Sequence, residues 1–256
     1  MFQKKIRIIP RLDIKGKNLI KSIQFEGLKV IGSPNEFALK YYDDGADEII
    51  LIDCVASLYN RDNLKSIIQE AAKNIFVPIT VGGGIRNLED ATNLLTVGAD
   101  KIAVNTAVIK NPELITELAN KLGSQCVVLS IEAKRTEQNN WEAFMNYGRD
   151  HTGFNVLDWA KKGTDLGAGE VLLTSVDKEG TRKGFDVDLI KSVSNKINTP
   201  IIVSGGMGKL EDIEEISNIG NIHGISMADI LHNGRASVNE IKKFSKKVGF
   251  TVRENL

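Results

Sequence analysis

The sequence predicts a (β/α)8 barrel, the TIM barrel, formed as a single domain over residues 1–256. Its length of 256 residues is ordinary for one α/β barrel. Eight short runs rich in Val, Ile and Leu alternate with longer amphipathic stretches, which is the pattern of repeated βα units around a parallel sheet. The two halves of the chain also resemble each other, a duplication that an open doubly wound sheet would not require.

Each predicted strand is one of these apolar runs. In chain order they are IRIIPRLDI near residue 6, EIILID near 48, PITV near 78, KIAV near 101, CVVLSIE near 126, EVLLTS near 170, PIIVS near 200 and HGISM near 223. Helix starts lie between them. Ser33–Glu36 supplies an N-cap, a first-turn proline and a glutamate three residues after the cap, and Asn111–Pro112 repeats the cap and proline.

Two connections are longer than the others. They run from Lys15 to Gly32 after the first strand and from Ala133 to Phe154 after the fifth. Segments of this length after barrel strands predict loops or hairpins at the catalytic face, where functional residues concentrate.

The internal repeat strengthens the barrel prediction. PITVGGGIRNLED, from Pro78, matches PIIVSGGMGKLED, from Pro200, at an offset of 122 residues. An offset of 119 residues aligns Asp13 with Glu132. Eight βα units made of two similar halves predict a closed barrel with pseudo-twofold symmetry.

Composition excludes several classes of function. The 33 Lys and Arg balance the 33 Asp and Glu, so no overall field favours nucleic acid or an anionic membrane. No apolar run approaches 18 residues, and the first residues lack the pattern of a signal peptide, so a cytoplasmic protein is expected. The two cysteines and three histidines have no metal-ligand spacing, and neither a metal nor a cofactor is expected.

Two carboxylates are the candidate catalytic pair. Asp13 ends the first strand and Glu132 ends the fifth, and their equivalence in the repeat places them at the same height on opposite sides of the ring. Two carboxylates that face one ligand can divide acid and base roles if their environments separate their pKa values. The alternative is that each bonds the nearby Lys15 or Lys134 at the rim.

Glycine-rich turns follow the third and seventh strands at the repeat offset. Such turns leave backbone N–H groups free to face an anion, and two of them predict two phosphate sites. The alternative is that glycine serves only a tight turn. Asn105 and Thr106 add donors to the first phosphate site. The corresponding residues of the second site are Met227 and Ala228, and they are followed by Asp229, whose carboxylate repels phosphate. The predicted phosphate-binding glycines are Gly83, Gly84, Gly205 and Gly206.

Four charged residues begin strands at the opposite, amino end of the barrel, where apolar side chains normally close the floor. Two cations and two anions can neutralise one another there, although four unrelated rim charges are the alternative. They are Arg7, Glu48, Lys101 and Glu170.

These features together resemble the HisF family, the cyclase subunit of imidazole glycerol phosphate synthase, from about Lys5 to Arg253. The most specific segments are LDIKG at 12–16, TVGGGI at 80–85, GADKIAVNTA at 98–107, SIEAKR at 130–135, GAGEVLLTSVDKEGT at 167–181 and VSGGMGK at 203–209. The resemblance implies a TIM barrel and a class I glutaminase (HisH-type) partner docked on the amino-end face. It also implies that ammonia enters the barrel through the four charged residues.

The resemblance further implies the reaction. Ammonia attacks a phosphoribulosyl formimino carboxamide nucleotide with a phosphate at each end, giving imidazole glycerol phosphate and an aminoimidazole carboxamide ribotide. The general acid and base of the family fall on Asp13 and Glu132. The other substrate positions implied are Lys21, Thr174, Glu179 and Gly180.

The sequence departs from the family at three places. Glu132 and Glu179 stand where aspartate is usual, and the hydroxyl of the second phosphate site is replaced around Ala228 and Asp229. The competing hypothesis is a HisF-like paralog of surface-sugar pathways, which delivers ammonia to a sugar amidotransferase. The related isomerase of the same pathway needs no glutaminase, so the four floor charges and SIEAKR weigh against it.

Overall fold

A computed structural model describes residues 4–55, 62–137 and 140–254. Within these ranges the strands are β1 (Lys4–Lys15), β2 (Asn18–Ile23), β3 (Glu26–Gly32), β4 (Ile49–Asp53), β5 (Ile79–Gly82), β6 (Lys101–Val104), β7 (Val127–Glu137), β8 (Asn140–Met145), β9 (Asp150–Asn155), β10 (Glu170–Ser175), β11 (Ile201–Ser204), β12 (Ile222–Met227) and β13 (Phe250–Val252). The α-helices are α1 (Pro34–Asp43), α2 (Asp62–Asn74), α3 (Leu88–Thr96), α4 (Thr106–Lys110), α5 (Glu113–Leu122), α6 (Val156–Asp165), α7 (Val187–Lys196), α8 (Asp212–Ile216), α9 (Asp229–His232) and α10 (Val238–Lys247).

Eight parallel strands close into a ring in the order β1, β4, β5, β6, β7, β10, β11 and β12, and β12 pairs with β1 again. Each of these strands contains or overlaps one of the eight predicted runs. The predicted (β/α)8 barrel is therefore confirmed. None of the helices in the described part of the chain is long and apolar enough to cross a membrane.

The apolar strands bury side chains on both sides of the barrel wall. Every residue of β5 and β11 is buried, as expected for parallel strands covered by helices outside and by packed side chains inside. Ile9, Ile50 and Leu172 belong to the inner cluster that fills the lumen. The barrel is thus a packed core, in which most of the buried side chains are apolar.

The predicted helix starts are confirmed to within one residue. Helix α1 begins at Pro34 after Ser33, and α5 begins at Glu113, one residue later than predicted. Neither start has a side-chain capping hydrogen bond. A complete capping box forms instead in α10, where the Ser237 side chain accepts from the backbone N–H of Glu240 and the Glu240 side chain accepts from that of Ser237.

The two long connections are antiparallel hairpins at the carboxyl end of the barrel. Strands β2 and β3 form the first, which we call the mouth hairpin, and it pairs with the end of β1. The second connection continues β7 and adds β8 and β9; residues 138–139 of this predicted loop lie outside the described residues. The mouth hairpin reaches across to the loop after β10, because the Gln24 N–H donates to the Glu179 carbonyl at 2.8 Å.

Candidate active site

The two predicted catalytic carboxylates lie at the carboxyl end of β1 and within β7, four places apart around the ring of eight strands. Asp13 is buried, and both of its oxygens accept hydrogen bonds. Arg11 Nε donates to Oδ1 at 2.9 Å, and the Tyr147 hydroxyl donates to Oδ2 at 3.0 Å. Asp13 is therefore held by one donor on its own strand and one on the turn between β8 and β9.

Glu132 is also buried but faces an open cleft. Its Oε2 accepts the backbone N–H of Gly148 at 2.8 Å. Burial raises the pKa of Glu132 to about 7, an effect that the Gly148 N–H and the charge of Arg11 oppose and the charge of Asp13 reinforces. A carboxyl group with this pKa can both accept and donate a proton at neutral pH.

The structure does not support the alternative in which each of these carboxylates bonds a nearby lysine, Lys15 or Lys134, at the rim. Lys134 Nζ lies 4.6 Å from the centroid of the Phe144 ring. No ion pair joins Lys15 or Lys134 to Asp13 or Glu132 among the described residues.

The first glycine turn forms one wall of a cleft of about 710 Å³, which Glu132 also lines. Gly83 has a φ of +97°, and a Cβ there would lie 2.2 Å from the Asp53 carbonyl oxygen, so only glycine fits. Asn105 and Thr106 line the same cleft, as predicted. Asn105 Oδ1 is buried and has no hydrogen-bond partner among the described residues, which leaves it available to a ligand donor.

The second glycine turn borders a space of only about 10 Å³. Gly205 and Gly206 line it together with Asp229, whose carboxylate accepts from Arg182 Nε at 2.9 Å and from Arg235. The two arginines satisfy the carboxylate that the sequence predicts as a poor phosphate lining. Ser226 Oγ lies buried beside this space, without a hydrogen-bond partner within the described ranges.

Three of the remaining predicted substrate residues connect the mouth hairpin with the loop after β10, and the fourth lies on β10 itself. Lys21 pairs with Glu179, and both side chains are largely buried. Gly180 packs directly against the hairpin, since a Cβ there would lie 2.5 Å from the Ser22 carbonyl oxygen. Thr174 Oγ1 accepts from Arg11 at 3.0 Å. Lys21, Glu179 and Gly180 therefore join the mouth hairpin to the loop after β10, whereas Thr174 bonds to β1.

At the amino end, the four predicted charges form one connected group, which we call the charge ring. Arg7 pairs with Glu48 and Glu170, and Lys101 Nζ donates to both of these carboxylates at 2.9 Å. Thr80 Oγ1 donates to Glu48 at 2.5 Å. The alternative of four unrelated rim charges therefore does not hold, because each cation contacts both anions.

Sequence reasoning missed two residues of the site. Arg11 lies two positions before Asp13 on β1, so strand periodicity places both side chains on one face, and this signal was available. Tyr147 could not be found in this way, because it reaches Asp13 only through the turn between β8 and β9.

Comparisons with known proteins agree along nearly the whole chain. Residues 7–237 match the sequence model of a family described as "Histidine biosynthesis protein". A protein of Legionella pneumophila named "Imidazole glycerol phosphate synthase subunit HisF" is 60% identical over 81% of this chain and 98% of its own length. A protein of the same name from Nitrosopumilus maritimus is 44% identical over 96% of this chain and 98% of its own length.

Proposed function

Because this chain belongs to the histidine biosynthesis protein family, we propose that it is the cyclase subunit of imidazole glycerol phosphate synthase. In the proposed reaction, ammonia attacks the phosphoribulosyl formimino carboxamide nucleotide, and ring closure yields imidazole glycerol phosphate and the aminoimidazole carboxamide ribotide. The observation that carries the proposal is the cleft in which Glu132 and the first glycine turn lie together.

The substrate requires anion sites with acid and base groups between them. The backbone at Gly83 and Gly84 offers donors to one phosphate in the cleft, which Asn105 and Thr106 also line. Glu132 lies in the same cleft with a pKa near neutrality, so it can move protons to and from the reacting nitrogen. Asp13 is the second carboxylate of the proposed pair.

Ammonia is proposed to come from a glutaminase partner on the amino-end face. The charge ring lies at this end, so it is the entry point that a nitrogen source bound there would use. Phe76 precedes β5 on the same face and is 76% exposed, and its ring lies 6.2 Å from that of Tyr42. An exposed Phe76 ring beside the half-buried ring of Tyr42 supports a protein partner at that end.

The test is turnover by the isolated chain. Purified protein is mixed with the nucleotide and excess ammonium, and the formation of imidazole glycerol phosphate is followed. We expect turnover without a partner, and its loss in Asp13→Asn and Glu132→Gln with the fold retained. Failure of the well-folded wild-type protein, beside an active family member, would contradict the proposal.

One observation favours a second candidate, an ammonia-channelling subunit that serves the amidation of a surface sugar. The space at the second glycine turn is about 10 Å³ and is bordered by Asp229 with its two arginines, whereas a bisphosphorylated substrate needs room for a second phosphate. Under this hypothesis, glutamine-derived ammonia passes through the charge ring but the nucleotide is not converted. The turnover test above therefore separates the two candidates.

We further propose that residues 1–256 form a single domain and that the protein is cytoplasmic. We also propose that its substrate is a small molecule with two phosphates and that the reaction needs neither a metal nor a cofactor.

A further inference from the structure

Arg11 is a buried cation in the lumen of the barrel. Strand periodicity places it on the same face of β1 as Arg7 of the charge ring and Asp13 at the mouth. Its side chain is 3% exposed, and a charge at this depth is costly unless it is paired and hydrogen-bonded. Arg11 meets that requirement through Asp13 and Thr174, and its guanidinium carbon lies 5.4 Å from the Phe25 ring centroid.

The contacts of Arg11 hold Asp13 from two directions. One is direct, through Oδ1. The other runs through the mouth hairpin, because Phe25 lies against the guanidinium and also stacks on Tyr147 at 4.0 Å, and Tyr147 donates to Asp13 Oδ2. Both carboxylate oxygens are thus bonded to donors on separate elements, which fixes the orientation of the side chain.

Glu132 has the opposite environment. It lines the open cleft, and its carboxylate accepts a hydrogen bond from the Gly148 backbone N–H in the turn between β8 and β9 and another from the Asn105 side chain. The two carboxylates that the repeat makes equivalent are therefore different in the folded protein, and Arg11 on β1 is a main reason for the difference.

We propose that Arg11 is a positioning residue, which fixes the Asp13 carboxylate and gives it a different environment from that of Glu132, the other carboxylate of the pair. This inference rests on the proposed cyclase function for its kinetic consequence. Arg11 itself cannot exchange the proton, since a guanidinium stays charged in proteins. Burial lowers the pKa of Arg11, but the charges of Asp13 and Glu179 more than offset this, so the pKa lies above its ordinary value.

Removing the Arg11 charge should change the titration of Glu132. Burial and the charge of Asp13 raise the pKa of Glu132, and the Arg11 guanidinium lowers it. Removing the guanidinium should therefore raise this pKa further. Other ionisable groups also line the cleft, and their charges remain in every variant compared. They are Asp53, Cys54 and Tyr147, together with the exposed Arg86, Lys110, Arg149 and Asp150.

The experiment follows the Glu132 carboxyl carbon by NMR during a pH titration, with Glu132→Gln assigning the signal. In Arg11→Met we expect the pKa of Glu132 to rise by about one pH unit, and Arg11→Lys should restore most of the wild-type value. Arg11→Gln provides a second neutral variant if Arg11→Met does not fold. Lys242→Met is the matched control, because Lys242 is also a buried cation, paired with Asp47 at 2.7 Å.

An unchanged Glu132 titration in a folded, neutral Arg11 variant would overturn the proposal, as would an equal change in Lys242→Met. Ammonium-dependent turnover, measured at constant free ammonia, adds a second readout. We expect kcat of Arg11→Met to fall about a hundredfold with little change in KM for the nucleotide. If the wild-type protein itself does not turn over, the proposed function fails while the titration still decides the role of Arg11.

Discussion

Gly83 and Gly205 have the same backbone φ of +97°, and each lies against the backbone carbonyl that ends the preceding barrel strand. A Cβ at Gly83 would lie 2.2 Å from the Asp53 oxygen, and one at Gly205 would lie 2.6 Å from the Ser175 oxygen. Both glycines and both carbonyls are separated by the 122 residues of the sequence repeat. The duplicated sequence therefore builds the same turn twice, although only the first turn borders a large cleft.

The first prediction concerns these turns. We expect Gly83→Ala and Gly205→Ala each to destabilise the fold by about 1–3 kcal/mol, through the left-handed φ and the clash with a carbonyl. Gly83→Ala should also raise KM for the nucleotide, since its turn lines the cleft. Thermal unfolding and steady-state kinetics measure the two effects.

Gly249→Ala is the matched control, because Gly249 has a φ of +99° and nothing lies within 4 Å of its added Cβ. It should show the cost of the backbone conformation alone, with unchanged KM. A larger loss of stability in Gly249→Ala than in Gly83→Ala would contradict the clash argument.

The second prediction follows from the pKa of Glu132. The pKa is about 7 in the folded protein against an ordinary value of 4.5, so the folded state binds this proton more tightly. This tighter binding stabilises the folded state by ~3 kcal/mol below pH 4.5, and the stabilisation is lost as the pH rises to 7. Glu132→Gln removes the titration, so its unfolding free energy should exceed that of the wild type increasingly from pH 5 to pH 8.

Urea unfolding at pH 5, 6.5 and 8 measures this difference. Asp150→Asn is the control, since Asp150 lines the same cleft but is exposed. A stability difference between Glu132→Gln and wild type that does not change with pH would show that Glu132 titrates at its ordinary value.

The barrel and the position of the site are readable from local sequence patterns, while the pairing of charges inside the site is not. Apolar runs and the repeat place Asp13 and Glu132 at strand ends, because strand period and parallel pairing are short-range rules. That Asp13 meets Tyr147, or that Asp229 meets Arg182, depends on which loops meet at the mouth of the barrel. No local pattern encodes these contacts between residues that are distant in the sequence.

The third prediction concerns the charge ring. Lys101→Met removes a cation that contacts both Glu48 and Glu170 and leaves Arg7 as the remaining cation of the ring. Glu48 is fully buried, so we expect a loss of about 3–5 kcal/mol in the free energy of unfolding. In a complex with a glutaminase, glutamine-dependent turnover should fall more than turnover with free ammonium.

Lys73→Met is the control for the ring, since Lys73 is 68% exposed and pairs with Glu70 on the surface of α2. Its stability should change by less than about 1 kcal/mol. Equal losses of glutamine-dependent and ammonium-dependent turnover in Lys101→Met would assign the ring a structural role only.

The last prediction concerns Asp229 at the second glycine turn. Asp229→Ser removes the carboxylate that Arg182 and Arg235 now contact, and it leaves two guanidinium groups beside the turn of Gly205 and Gly206. Guanidinium groups form strong, charge-assisted hydrogen bonds with phosphate. If the bound nucleotide places its second phosphate here, KM should fall by about tenfold, which corresponds to ~1.4 kcal/mol.

Asp229→Asn is the matched variant, because it removes the charge and keeps the shape of the side chain. A lower KM in both variants would assign the effect to the loss of the negative charge, whereas a lower KM in Asp229→Ser alone would assign it to the smaller side chain. Calorimetry with inorganic phosphate, compared with the wild type, checks that the tighter binding arises at an anion site. An unchanged or higher KM in both variants would mean that no phosphate binds at this turn, and the ammonia-channelling hypothesis would then explain the site better than the cyclase.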